Sequence, residues 1–299
     1  MGNYTESECS ARLTTLLAPR TGNLAEELTL ELSEYFHMSI DDIRARLAGA
    51  TESFTAEWKE HVPDGSDERA VTRFYNESKT ELFDLANWHS HDAIHYRALM
   101  CADIAQERGC REYLDYGSGI GADALVFASA GCRVTLADVS EPLLAFAKWR
   151  CERRGYAVET VDLKTSRPPR GRFDAVVCFD VLEHIHRPLR TLWGIHQSMC
   201  PGALLFMHAP FGPDPDRPMH VVHEDVVTPR MRTVGFNWRG DLERQFPEWL
   251  WHPKVYQSFN VSFADRLAYR VYDEWLKGGT GEWLARAYRR LRPNRYAIE

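Results

Sequence analysis

The sequence predicts a parallel α/β sheet behind a helical cap, and two observations predict it. From Gly109 onwards, short apolar runs alternate with amphipathic helical stretches, the texture of a parallel sheet. Before Gly109, apolar residues recur at helical spacing and no segment reads as a strand. The expected division is a helical cap over 1–109, a sheet domain over 110–260 and a C-terminal helical extension over 261–299.

In the cap, Leu24, Leu28, Leu32, Tyr35 and Phe36 form one stripe. Ile40, Ile43 and Leu47 form another, begun by Ser39 and stopped by Gly49. Val62 to Asp67 (VPDGSD) is a turn. A long helix is expected from Ser90 to Arg108, with Ile94, Leu99 and Ile104 on its apolar face. It leads into Glu112–Gly121 (EYLDYGSGIG), where a buried strand breaks into Gly117, Gly119 and Gly121. Glycines so spaced allow a tight turn and let a ligand approach the backbone. The next ten residues carry Ala124, Leu125, Phe127 and Ala128 at helical spacing and end on Gly131.

Cys132–Asp138 reads as the second strand, followed by a helix capped by Ser140 with Pro142 in its first turn. Tyr156–Asp162 is the third strand. Phe173–Asp180, apolar on both faces, suits a central strand. A helix near Pro188–Met199 and a fifth strand over Ala203–Ala209 follow. The proline-rich Pro210–Pro218 is a loop placed to close over a substrate. Val226–Phe236 reads as a helix running into a strand, His252–Phe263 as the last strand, and Ala264–Leu291 as two amphipathic helices.

A net charge of -7 gives no general attraction to nucleic acid or anionic lipid. The one basic run, Arg286 to Arg295, reads as a solvated helix face. Seven scattered cysteines without a CxxC pair argue against zinc ribbons and disulfide scaffolds. No apolar stretch approaches the ~20 residues needed to span a bilayer, and the N-terminus lacks a signal-peptide core. A cytoplasmic protein is expected, with no nucleic-acid or membrane partner.

Ligands of open α/β sheets bind outside the carboxyl ends of the strands, where this sequence places Asp115, Asp138, Asp162 and Asp180. Asp138 follows the glycine turn by about 20 residues, the place of an acidic residue that binds ribose hydroxyls. Gly117, Gly119, Gly121 and Ala122 also satisfy a dinucleotide fingerprint, so glycine spacing leaves NAD open. A rim of four carboxylates suits a cationic sulfonium better than a pyrophosphate.

YLDYGSGIG, VTLADVS, VETVDL and FDAVVCFDVLEHI, in this order, resemble the class I S-adenosylmethionine-dependent methyltransferases over roughly Arg111 to Phe236. The resemblance implies a Rossmann-like seven-stranded sheet with a reversed last strand and S-adenosylmethionine (SAM) as cofactor. It implies a cofactor site of Asp115, Gly117, Ser118, Gly119 and Gly121 at the turn, Asp138 with Val139 on the ribose, Asp162 with Leu163 near the adenine, and Phe179 or Asp180 near the ammonium group.

Methyl transfer requires mainly alignment, so the acceptor is less legible than the cofactor. The candidate catalytic residues are Tyr75, His91, Asp180 and His184. His91 and His95 would share a helix face, and one of Tyr75, Trp88, His91 and Tyr96 would project over the cofactor, where an aromatic face stabilises a sulfonium. Asp180, Glu183 and His184 resemble the acidic, acidic, histidine arrangement with which some ubiquinone-pathway and small-RNA 2′-O-methyltransferases hold a divalent metal, and that resemblance implies that His208, His220 or His223 could complete a set. They are expected to shape the pocket without a metal. The large cap suggests an enclosed pocket for a small molecule, methylated on oxygen or nitrogen in secondary metabolism. The alternatives are SAM itself as substrate, by cyclisation or by aminocarboxypropyl transfer releasing methylthioadenosine, and non-catalytic SAM binding.

Overall fold

In a computed structural model, the structure describes residues 5–268 apart from 92, 93, 216, 251 and 266. Seven helices come first: α1 (Glu6–Leu17), α2 (Leu24–Phe36), α3 (Ile40–Ala48), α4 (Ala50–His61), α5 (Glu68–Glu77), α6 (Glu81–Trp88) and α7 (Tyr96–Glu107). Local chemistry sets several of their boundaries. Thr5 and Glu8 form a capping box on α1, Asn23 caps α2, Ser39 caps α3 and Asp67 caps α5.

The helix expected from Ser90 begins instead at Tyr96. Side chains divert the preceding backbone: Ser90 Oγ donates to the Asn87 carbonyl (2.7 Å), and His95 Nε2 donates to the His89 carbonyl (2.9 Å).

The sheet comprises β1 (Glu112–Tyr116), β2 (Arg133–Asp138), β3 (Val158–Asp162), β4 (Phe173–Phe179), β5 (Met199–His208), β6 (Phe236–Trp238) and β7 (Lys254–Ser258). Between strands run α8 (Ala122–Ser129), α9 (Glu141–Arg153), α10 (Pro188–Ser198) and α11 (Gly240–Glu243). The order is β3-β2-β1-β4-β5-β7-β6, a Rossmann-like arrangement. The strands β1 to β5 pair in parallel, and β7 is antiparallel to both β5 and β6. The seven-stranded sheet and its reversed last strand agree with the expectation. The strand order reverses between β1 and β4, the switch point at which α/β sheets open a crevice.

Alternation along β4 explains its apolar run. Ala175, Val177 and Phe179 enter a core shared with α1, α7 and α8, whereas Val176 and Cys178 enter another shared with α10. Tyr113 on β1 stacks on Phe127 of α8 at 3.8 Å. Leu13, Leu17 and Leu24 of the cap join the first core, and Leu28, Leu32 and Phe83 meet Ile120 and Phe146 in a third. Buried Glu31 of α2 accepts from Arg150 of α9 (2.7 Å) and from Arg154. Most of the expected C-terminal helices and the whole basic run lie outside the described residues.

Candidate active site

The carboxyl ends of β1, β2 and β4 face the cap across a cavity of about 970 Å³. Its sheet side is the glycine turn. Gly117, Gly119 and Gly121 all have positive φ, but they do different work. A Cβ on Gly117 would lie 2.3 Å from Val181, and one on Gly121 would lie 2.9 Å from the Ala147 Cβ on α9. Gly119 meets nothing closer than Leu85 at 3.5 Å and lines the cavity. Asp138, at the end of β2, closes the cradle by accepting from the Gly119 and Ser140 N–H groups, both at 3.0 Å.

Gly117, Ser118, Gly119, Asp138, Val139, Leu163 and Phe179 line the cavity together, beside Asp180, Tyr75 and His184. Gly121, Asp115 and Asp162 are absent from the wall. Asp115 is buried, and burial together with Asp123 and Asp138 raises its pKa well above the carboxylate range. Asp162 turns its carboxylate to the Lys164 N–H (2.9 Å) and the Thr165 hydroxyl (3.2 Å). His91 is exposed and lies outside the wall, while His89, two residues earlier, lies in it. The helix face expected for His91 and His95 is not formed, and the His95 ring pairs with His89 at 5.1 Å. Tyr96 packs on Trp249 rather than in the cavity, whereas Trp88 lines it.

Asp180 is the fixed point of the opposite wall. It is a non-glycine residue at φ 55°, and such strain persists only where neighbours hold it. Arg97 donates to one carboxylate oxygen, His208 Nδ1 donates to the other (2.5 Å), and the Asp180 N–H donates to the His208 carbonyl (2.9 Å). Burial opposes ionisation, yet these partners win and hold Asp180 well below its ordinary pKa. The Arg97 guanidinium also lies 4.3 Å from the Phe179 ring. The rim is therefore not four free charges: Asp115 is buried in the sheet, Asp162 serves its turn, and Asp180 is neutralised in place.

The sequence reading missed Arg97, Glu81 and Asp84, all in the wall. Burial, then Asp138, pushes Glu81 far above the carboxylate range. The available signal was a charge on an otherwise apolar helix, since Arg97 stands within a continuous buried run from Tyr96 to Ala102.

The other half of the cavity faces α5, α6 and the proline-rich loop, as expected for that loop. Phe211 and Arg217 line it, and the Arg217 guanidinium lies 4.3 Å from the Trp88 ring. His184 Nδ1 lies 3.0 Å from both the Met219 carbonyl and the Tyr75 hydroxyl. A carbonyl can only accept, so Nδ1 carries the proton and Nε2 presents a lone pair. Burial lowers His184 to about 4, leaving the ring neutral at pH 7, and raises Tyr75 well above 10, keeping its phenol protonated. Glu183, His184 and His220 each bring a possible ligand atom within 4.8 Å of the others.

A family model described as "Methyltransferase domain" matches residues 20–269. The chain belongs to this methyltransferase family. Its cofactor is S-adenosylmethionine, and the cradle fits that molecule: backbone is open at Gly119, Asp138 stands beside it, and the buried Ser118 hydroxyl has no partner among the described residues. An uncharacterised protein of Synechococcus sp. is 31% identical to the methyltransferase over 134 residues, covering 42% of this chain and 32% of the relative. A ubiquinone biosynthesis O-methyltransferase of Azotobacter vinelandii is 33% identical over 100 residues, covering 32% and 43% respectively. The chain thus spans less than half the length of these curated relatives. Among solved structures, the 1,6-didemethyltoxoflavin-N1-methyltransferase of Burkholderia thailandensis aligns at 20% identity and a TM-score of 0.41, covering 55% of this chain and 80% of that one. Among the described residues, no helix is long and apolar enough to cross a membrane.

Proposed function

We propose that the enzyme methylates an oxygen or nitrogen atom of a small molecule. The observation that carries this reading is the cavity itself. At about 970 Å³ it extends beyond the glycine cradle to a second wall of Tyr75, Trp88, His184, Phe211 and Arg217, and its size lies near the upper end of the ~300–1,000 Å³ of ligand pockets. A space walled by the cap favours a small acceptor over a nucleic acid or a membrane surface.

When bound, S-adenosylmethionine supplies a methyl group already activated on a sulfonium. Gly117, Ser118, Gly119, Asp138, Val139, Leu163 and Phe179 hold it in this reading, with Asp138 accepting from ribose hydroxyls. Arg97 and His208 keep Asp180 ionised near the ammonium end. Gly121 and Asp115 support the turn from behind. Tyr75 donates a hydrogen bond from its phenolic O–H to the acceptor, and neutral His184 accepts one at Nε2 from an acceptor hydroxyl. Both orient the nucleophile, the chief requirement of methyl transfer.

The test is mass spectrometry of products formed from SAM with and without a protein-free metabolite extract. S-adenosylhomocysteine appearing only with extract, beside a metabolite heavier by one CH2, is the expected result. Methylthioadenosine formed from SAM alone would instead make SAM the substrate. SAM binding without turnover across such extracts would favour a non-catalytic protein.

A further inference from the structure

Arg217, in the loop after β5, lines the acceptor half of the cavity, and the methyl-transfer reading gives it no task. Other cations of the wall are engaged: Arg97 donates to Asp180, and Lys164 lies 3.8 Å from Asp162 and donates to Asn76. Among the described residues, no hydrogen bond or ion pair holds the Arg217 guanidinium. Its contact is the Trp88 ring of α6, over which it lies at 4.3 Å. Stacking occupies the face of the planar cation and leaves its N–H donors, which lie in the plane, for another partner. The acidic side chains of this wall do not take that place. Glu68 pairs with Arg187 (3.6 Å), and the Asp84 carboxylate accepts from the Thr51 hydroxyl (2.7 Å). Asp214 meets Arg217 through the backbone, its carbonyl accepting from the Arg217 N–H (3.1 Å). Burial, then Asp180, raises Glu183 to about 8, so its carboxyl is mostly protonated at pH 7. His184 is neutral, and His220 is lowered by burial first and by the Arg217 charge next.

We propose that Arg217 is an acceptor-specificity residue that pairs with a carboxylate, so that the acceptor is a small carboxylic acid bearing the hydroxyl or amine to be methylated. Tyr75 and His184 line the same cavity and orient the nucleophile, while Arg217 holds the acid end. A guanidinium fork matches the two oxygens of a carboxylate with two parallel N–H donors. One guanidinium also balances the single charge of a carboxylate. A phosphate monoester carries nearly two negative charges at pH 7, and part of that charge would lack a partner in a cavity that also holds Asp138. That the acid is the methyl acceptor rests on the methyl-transfer reading; the anion site itself does not.

The experiment is a ligand-observed NMR titration of the full-length protein saturated with S-adenosylhomocysteine. The probes are benzoate, phenylacetate and 3-phenylpropionate, chosen for a wall that carries Tyr75, Trp88 and Phe211, each beside its carboxamide, with phenyl phosphate as the phosphate probe. An amide keeps the shape of the acid and removes its charge. At least one acid should bind about tenfold or more tighter than its amide. Arg217→Gln should abolish that preference and Arg217→Lys should keep part of it, while far-UV circular dichroism and SAM calorimetry show both variants folded and binding SAM as the parent does. Acids that bind the parent no better than their amides, phenyl phosphate that binds tighter than every acid, or a folded Arg217→Gln variant that keeps the preference overturns the site. With the metabolite extract, a methylated product bearing a carboxylate supports the acceptor assignment, and a neutral, cationic or phosphorylated one overturns it. Acid-selective binding that is lost in Arg217→Gln, without any methylated product, supports the site and counts only against the proposed reaction.

Discussion

At the scale of single residues, burial decides which groups carry charge. His95 is 1% exposed and its pKa is lowered to about 4, chiefly by desolvation. The unfolded chain takes up a proton near the ordinary value of 6.5 and the folded one only near 4, so stability is fully present above 6.5 and is lost as pH falls through that window. His95→Gln keeps a donor for the His89 carbonyl but cannot titrate. Urea unfolding between pH 7 and pH 4.5 should show the variant losing less stability than the parent, by on the order of 2 kcal/mol. Parallel slopes would remove desolvated His95 as the cause. The same balance was invisible in the sequence for the strand-end aspartates, because Asp180 meets its partners Arg97 and His208 from 83 and 28 positions away.

At the scale of elements, the three glycines separate into support and contact. An alanine at Gly121, at φ +74° and 2.9 Å from Ala147, must displace α9, and should cost stability above all. An alanine at Gly119 has room, with Leu85 at 3.5 Å, and carries mainly the left-handed penalty of about 1–2 kcal/mol. Gly119→Ala should therefore fold with a modestly lower Tm yet lose SAM affinity by tenfold or more, whereas Gly121→Ala should show a much larger fall in Tm. Thermal melts and calorimetry distinguish them, and equal SAM affinity for Gly119→Ala and the parent would refute its contact role. The helix boundary at Tyr96 belongs to this scale too. Periodicity alone ran the helix back to Ser90, and side-chain bonds of Ser90 and His95 to nearby carbonyls break it, which moves His89 into the cavity and leaves His91 outside.

For the molecule as a whole, the cap and sheet share their cores, and the buried Glu31 joins α2 to Arg150 and Arg154. Glu31→Ala leaves two largely buried guanidinium groups without that partner, a loss worth about 3–5 kcal/mol in buried pairs. One unfolding transition, shifted as a unit, is expected, with near-UV and far-UV circular dichroism coinciding. Two separated transitions would mean that the cap at 1–109 folds by itself. The cavity is a property of this joint packing, since its walls include residues of α4, α5, α6 and α7, three strand ends and the loop after β5.

Sequence by itself determined the strands, most helices, the reversed last strand implied by the family likeness, and the glycine cradle with Asp138. These depend on periodicity, local capping and short-range turn chemistry, all written in neighbouring residues. Tertiary structure alone decided which carboxylates face the cavity, which are spent on arginine or histidine, and which histidines meet. Tyr75 and His184 stand 109 positions apart, and His184 and Met219 stand 35 apart. Protonation and ligand geometry depend on desolvation and on such distant partners, so they emerge only when the cap closes over the strand ends.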